Sequence, residues 1–198
     1  MAGRALIVVD MQKEFCEGGG LPVKGADELA GALAELVRAE AGETYRRVVA
    51  TRDHHFDPGD HFSSEPDFED SFPPHCLAGS EGAEFHADFE QVVAAGTVDE
   101  VFFKGAYSAS KSGFEGESGG GVGLAAWLRE RDVDVVDVVG VGIDHCVKAT
   151  ALGGVRAGFE VRVLLDHTVG CTPETTERAM AELKTEGVEL IGTPVVLV

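Results

Sequence analysis

DVVDVVGVGIDHCVKATALGGVRAG, residues 134–158, reads as a buried strand, a glycine-bearing turn and a helix, with Cys146 at the join. Val135, Val136, Val138 and Val139 form the near-continuous apolar run of a strand covered on both faces, and Val147, Ala151 and Val155 then recur at helical spacing. The thiol is thereby placed in a helix's first turn. Unpaired N–H groups and the positive end of the helix dipole favour a thiolate there, and the same N–H groups can hold the oxyanion of an acyl intermediate. A cysteine in this position also fits as a small buried apolar residue, so the other strand ends decide between packing and chemistry.

Working outward, RALIVV at 4–9 is a short buried strand running into Asp10, and RRVVAT at 46–51 is a second, closed by Asp53. EVFFK at 100–104 ends on Lys104, a further strand covers 160–165 up to Asp166, and the last lies near 188–191. Between them, Leu29, Leu33, Leu36 and Val37 mark an amphipathic helix that Asp27 is expected to cap and that stops near Gly42. Further helices are expected over 124–131, after Cys146, and over 174–185, where Pro173 follows Thr172 at a helix start. Strands alternating with helices predict an α/β fold with a mostly parallel six-stranded sheet, helices on both faces and right-handed crossovers. No repeat or linker interrupts it, so residues 1–198 read as one domain.

Composition removes several function classes. Sixteen Lys and Arg against thirty-five Asp and Glu give a net charge of −19, which repels phosphate backbones and anionic membrane surfaces, so neither nucleic acid nor membrane is an expected partner. No apolar run approaches the roughly 20 residues of a membrane span, and the first ten residues are too short for a signal peptide. A cytoplasmic location is expected. The four cysteines, Cys16, Cys76, Cys146 and Cys171, show no CxxC spacing and are expected to be reduced.

Ligands of parallel sheets bind beyond the carboxyl ends of the strands. Asp10, Asp53, Lys104, Cys146 and Asp166 each stand where a hydrophobic strand stops, so these five polar groups are expected at one rim, although Asp166 in DHT also suits a turn. Cys146 offers a nucleophile, Asp10 a buried carboxylate able to take its proton, and Lys104 a cation that holds Asp10 and stabilises the sulfur anion. His145 adjoins the cysteine, but neighbours in a helix point about 100° apart, and it reads as pocket wall. The polar stretch 52–86 has little periodicity and carries five of the seven histidines. Loops of that length are usually functional. Its Asp53, His55, His61 and His75 suit one divalent transition ion, Zn, Fe or Mn; the same irregular spacing also fits solvated loop histidines.

These residues carry a resemblance spanning nearly the whole chain. ALIVVDMQKEFCEGGGLPVKG, VVATRDHHFDPGDHFS, FPPHCLAGSEGAEFH, VFFKGAYSASKSGFEG and VDVVGVGIDHCVKATA, in that order, resemble the nicotinamidases, or pyrazinamidases, of the isochorismatase-like cysteine hydrolase family. The resemblance implies Cys146 as nucleophile, Asp10 as proton acceptor and Lys104 as the third member of a triad, with Asp53, His55, His61 and His75 binding the metal that fixes a pyridine nitrogen. It further implies an oxyanion hole from the N–H groups of Gly142 and Cys146, with a cis peptide between Val141 and Gly142, and pocket walls from Phe15, Leu21, Phe72, Tyr107 and His145. The position of Phe72 is commonly tryptophan in that family, which implies a wider ring cavity. The expected reaction is hydrolysis of a small pyridine carboxamide to acid and ammonia, a step of pyridine-nucleotide salvage. Rival readings are hydrolysis of another small amide or carbamoyl compound, vinyl-ether cleavage by an isochorismatase, and non-catalytic metal or ligand binding; the oligomeric state is left open.

Overall fold

The computed structural model describes residues 3–197. Four parallel strands, β1 (Gly3–Val9), β2 (Arg47–Asp53), β3 (Glu100–Lys104) and β5 (Val133–Val141), form its centre, with β6 (Glu160–Val169) and β7 (Glu189–Ile191) beyond β5. Among the described residues the sheet has seven strands, in the order β4 (Glu117–Ser118), β3, β2, β1, β5, β6, β7, one more than the sequence pattern predicts. The addition is β4, Glu117–Ser118, antiparallel to β3 at the edge. Two residues inside a glycine-rich segment carry no periodicity, so nothing local announces it.

Every residue of β1 but Arg4 is buried, and alternation divides its side chains between two cores. Ala5, Ile7 and Val9 join Val136, Val138 and Val163 under α3 (Leu124–Arg129), α4 (Lys148–Arg156) and α5 (Pro173–Thr185). Leu6 and Val8 join Val48, Ala50 and Val139 under α1 (Ala26–Glu40) and α2 (Ala87–Ala94). Strands covered on both faces need apolar runs rather than alternation, which is what RALIVV and VDVVDVVGV supply. The short α2 escapes the sequence reading because only Phe89 and Val92 bury on it.

Helix ends follow local chemistry with one correction. Thr172 caps α5 by accepting the Thr175 N–H at 3.2 Å, and Pro173 occupies the first turn as expected. Asp27 does not cap α1: Gly25 does, in a left-handed conformation, and Asp27 lies inside the first turn, where its Oδ1 accepts the Glu17 N–H.

The order of strands places a crevice where the site is needed. From β1 the chain builds outward through β2 and β3, then returns to β5 on the opposite side of β1; this reversal opens a cleft at the carboxyl ends of β1 and β5. Register aligns the groups across it, pairing Val9 with Thr51 and Gly140, and Asp53 with Lys104. Gly140 is required at the cleft floor, since a side-chain carbon there would lie 2.2 Å from the Val9 carbonyl oxygen and its φ is +120°.

Candidate active site

Asp10 follows β1, Asp53 ends β2, Lys104 ends β3, and Cys146 lies in the turn after β5. The turn is π-helical, over Ile143–Val147, and runs into α4, so the cysteine precedes the α-helix rather than sitting in its first turn. Lys104 Nζ is 2.8 Å from Asp10 Oδ2, 2.5 Å from Asp53 Oδ1 and 3.7 Å from Cys146 Sγ. The Thr51 hydroxyl donates to Asp10 Oδ1 at 2.7 Å. An oxygen of each carboxylate and Cys146 Sγ all lie within 4.8 Å of one another. Asp166 does not join them: β6 continues past it to Val169 after a register shift, and its exposed side chain accepts the Thr193 N–H.

The charges set each proton's place. Burial pushes Asp10 up against the opposing pull of Lys104, so its carboxylate holds a proton more readily than an ordinary aspartate. For Asp53 burial acts in the same direction, yet Lys104 and His55 outweigh it and keep the group ionised. Burial opposes the charge on Lys104, but Asp10, Asp53 and Cys146 together raise it well above its ordinary value. Cys146 is pushed well up, first by burial and then by the two carboxylates against Lys104. The resting sulfur therefore carries its proton, in contrast to the thiolate that a helix N-terminus alone suggests, and an adjacent base has to remove it.

Gln12, which the sequence reading passes over, stitches this floor together. Its amide nitrogen donates to the carbonyls of Asp53 and Ala83, and its amide oxygen accepts the Asp53 N–H, each at 2.9 Å.

Beside the lysine lie His55, His61 and His75, all buried, with one nitrogen from each within 4.8 Å of the others. Each Nδ1 faces a backbone carbonyl: Gly105 at 2.6 Å, Asp70 at 3.0 Å and Pro73 at 2.8 Å. A carbonyl only accepts, so Nδ1 carries the proton and Nε2 presents a lone pair. Gly105 approaches so closely that a side-chain carbon there would lie 2.4 Å from the His55 ring. His55 Nε2 is buried without a hydrogen-bond partner. It lies 3.9 Å from Asp53 Oδ1, and His75 Nε2 lies 4.0 Å from Asp53 Oδ2. Those separations are too long for hydrogen bonds but suit neighbouring ligands of one cation bound at about 2.0–2.2 Å. Burial lowers the proton affinity of all three rings, which keeps them neutral as ligands must be. Asp53, held ionised beside the neutral rings, favours a divalent cation on electrostatic grounds as well.

A cavity of about 510 Å³ opens over Cys146, lined by Phe15, Leu21, Phe72, His145, Val141 and Gly142 together with Asp53, His61 and His75. The Val141–Gly142 peptide is cis, as the resemblance implies. Tyr107 is not part of the wall. After the left-handed turn at Gly105 its ring points outward, 74% exposed and stacked on Phe56 at 5.7 Å. Phe68, Lys111, Cys171 and Thr175 line the cavity instead. Lys111 lies in the quoted VFFKGAYSASKSGFEG segment, four residues after Tyr107; Phe68 and Cys171 carry no signal in the sequence.

The isochorismatase domain profile matches residues 4–194. The chain is 50% identical over 188 residues to the nicotinamidase/pyrazinamidase of Mycobacterium tuberculosis, covering 95% of this chain and 98% of that protein. Its fold superposes with a TM-score of 0.81 on L. infantum PnC1 in complex with nicotinate, at 32% identity over 99% of this chain and 96% of the other. Against the pyrazinamidase of Pyrococcus horikoshii in complex with zinc the TM-score is 0.74, at 36% identity over 95% and 98% of the two chains.

Proposed function

The chain belongs to the isochorismatase family, and on that footing we propose that it is a metal-dependent nicotinamidase, hydrolysing nicotinamide to nicotinate and ammonia and pyrazinamide to pyrazinoate. The observation that carries this reading is the contact of Lys104 with Asp10, Asp53 and Cys146 at one point of the crevice, beside three imidazoles whose lone pairs face one another. Cys146 is the nucleophile, Asp10 the proton acceptor and Lys104 the third catalytic group. The N–H groups of Gly142 and Cys146 form the oxyanion hole. Phe15, Leu21, Phe72 and His145 enclose the ring, and the described residues make one domain whose two cores back the same sheet.

Asp53, His55, His61 and His75 would hold the divalent ion. When bound, it offers a Lewis-acidic anchor for the ring nitrogen, directly or through water. The chain's own groups carry the proton traffic. Asp10 takes the Cys146 proton, and Lys104 keeps a positive charge beside the sulfur as it attacks the amide carbon. Charge that develops on the amide oxygen meets the two N–H groups. Asp10 then returns the proton to the departing nitrogen, leaving a thioester on Cys146 and free ammonia. A water molecule gives its proton to Asp10 and attacks the thioester; the acid leaves and the sulfur recovers its proton.

Zn, Fe and Mn all suit the three-histidine, one-carboxylate set. We place the protein in the cytoplasm: its four cysteines are all unpaired, which suits a reducing compartment. No described helix is long and apolar enough to cross a membrane. The released acid would return to pyridine-nucleotide salvage. Ammonia release from nicotinamide and pyrazinamide, with and without a chelator, tests the reading. Turnover of both that the chelator stops is expected, and no release from either by metal-loaded protein would overturn it.

A further inference from the structure

Asp144, His145 and Cys171 form a second cluster at the cavity, sharing no residue with the three histidines. A carboxylate oxygen, a ring nitrogen and the sulfur each lie within 4.8 Å of the other two. His145 and Cys171 line the cavity. Asp144 lies beneath them, only 7% exposed. Its Oδ2 is fixed by the Cys171 N–H at 3.0 Å and the Thr175 hydroxyl at 2.5 Å. Its Oδ1 is buried with no hydrogen-bond partner. A side-chain carbon built on Gly142 would sit 3.2 Å from Asp144 Oδ1 and 3.6 Å from Cys171 Sγ. The orphaned oxygen and the sulfur thus face the same small space above the glycine. The adjoining Cys171 thiol is a weak donor to this carboxylate, so a cation in place of the thiol proton would satisfy the buried oxygen better.

We propose that Asp144, His145 and Cys171 form a second site for a thiophilic divalent ion of the zinc class, and that an ion held there obstructs the cavity and inhibits the enzyme. Thiolate, imidazole and carboxylate together are a borderline-soft set that matches such an ion and disfavours magnesium or calcium. Burial and then the Asp144 charge push the Cys171 thiol up to about 12, so it is protonated before an ion arrives. Binding breaks the sulfur–hydrogen bond, forms a sulfur–metal bond and releases one proton to solvent. His145 packs edge-on against Phe72, with centroids 5.5 Å apart, so an ion on His145 sits beside the ring that walls the substrate.

Cys16, Asp27 and His86 bring the same donor types together elsewhere. There His86 Nδ1 accepts the Asp88 N–H, which leaves the proton on the Nε2 that faces Asp27 at 3.8 Å, and Asp27 Oδ1 already accepts the Glu17 N–H. That cluster is satisfied without an ion and serves as the control.

The test titrates Co2+ into protein already loaded with one equivalent of zinc. Wild type is expected to take up a further equivalent and to develop the near-ultraviolet absorption of a sulfur-to-cobalt bond. Cys171→Ser is expected to lose both, and Cys16→Ser to keep both. Zinc inhibition of nicotinamide hydrolysis, with each rate scaled to the same protein without added zinc, should need about 10-fold more zinc or higher in Cys171→Ser and Asp144→Asn. Cys171→Ala gives the same comparison if the serine variant folds poorly. No further equivalent in wild type, or an unchanged absorption in Cys171→Ser, would overturn the proposal. The cobalt measurement does not depend on the amidase reading; only the inhibition rests on it, so failure of one is distinguishable from failure of the other.

Discussion

The floor of the cavity and its roof are held in different ways. Asp10, Asp53 and Lys104 stand at the ends of parallel strands whose register fixes them to one another, with Lys104 in direct contact with both carboxylates. His61, Phe72 and His75 hang from a segment without long strands or helices, tied by ring-to-carbonyl hydrogen bonds and by isolated bridges such as Phe62 with Phe72. The floor is an ion-paired cluster centred on Lys104. The roof is a set of lone pairs and buried rings whose arrangement suits a cation. Chemistry that requires fixed distances is thus built on the sheet, and the metal-binding part is built on a segment that the metal itself would help to order.

The largest effect expected from this contrast falls on the floor. Lys104→Met leaves two adjacent buried carboxylates without their cation, which should destabilise the fold by about 3–5 kcal/mol. Its kcat should fall by about 10³-fold or more, because the sulfur anion loses the cation 3.7 Å away. Denaturant melts and steady-state ammonia release measure both; a variant as stable and active as wild type would show that the pairing is incidental. Metal removal is next. Stripping the ion should abolish turnover and lower stability by about 2.7 kcal/mol relative to protein with ion at a hundredfold excess over Kd. Hydrogen exchange should accelerate over residues 54–76 and stay unchanged in β1, β2 and β5. Uniform acceleration would erase the distinction between floor and roof.

Gln12 joins the two regions, so Gln12→Ala should damage both. Loss of its three hydrogen bonds leaves the buried backbone groups of Asp53 without these partners, while the Ala83 carbonyl keeps its bonds from Arg52, a cost of about 1–3 kcal/mol. Metal affinity should drop about 10–100-fold, as when other outer supports of ligands are removed. Full retention of metal affinity in a destabilised variant would confine Gln12 to the floor.

Acid should act on the roof first. His55, His61 and His75 have proton affinities lowered by burial, from an ordinary value of 6.5. The stability they contribute as neutral rings is complete above about pH 6.5 and drains away as pH falls through their lower folded values. Acidification also protonates the ligands and releases the ion. Metal content and Tm should therefore decline together below about pH 6.5, and an ion retained while every imidazole titrates would contradict the assignment of ligands. The smallest effect expected is that of Phe72→Trp, which narrows the ring cavity. A few-fold change in the nicotinamide to pyrazinamide ratio of kcat/KM is expected, on the order of 1 kcal/mol; an unchanged ratio would remove Phe72 from the specificity wall.

The same contrast explains what was legible in the sequence. Strand ends are marked by where apolar runs stop, so Asp10, Asp53, Lys104 and Cys146 could be placed at one rim before any coordinates. Asp166 shows the limit of that rule, because a register shift carries β6 beyond it. In the loops no period constrains the direction of a side chain. The clustered histidines are legible by residue type and resemblance, whereas Tyr107, expected in the wall, turns outward after Gly105. Phe68, Lys111 and Cys171 reach the cavity through tertiary folding alone. The raised proton affinity of Cys146 is illegible for a related reason: a helix terminus favours a thiolate, but burial, and after it two nearby carboxylates, act against one.

The most direct test of the account is ammonia release from nicotinamide by metal-loaded Cys146→Ala, with its metal content and Tm measured in the same preparation. Turnover at the uncatalysed background, in a protein that keeps its ion and its fold, is the predicted result. Continued release of ammonia by that variant would contradict it.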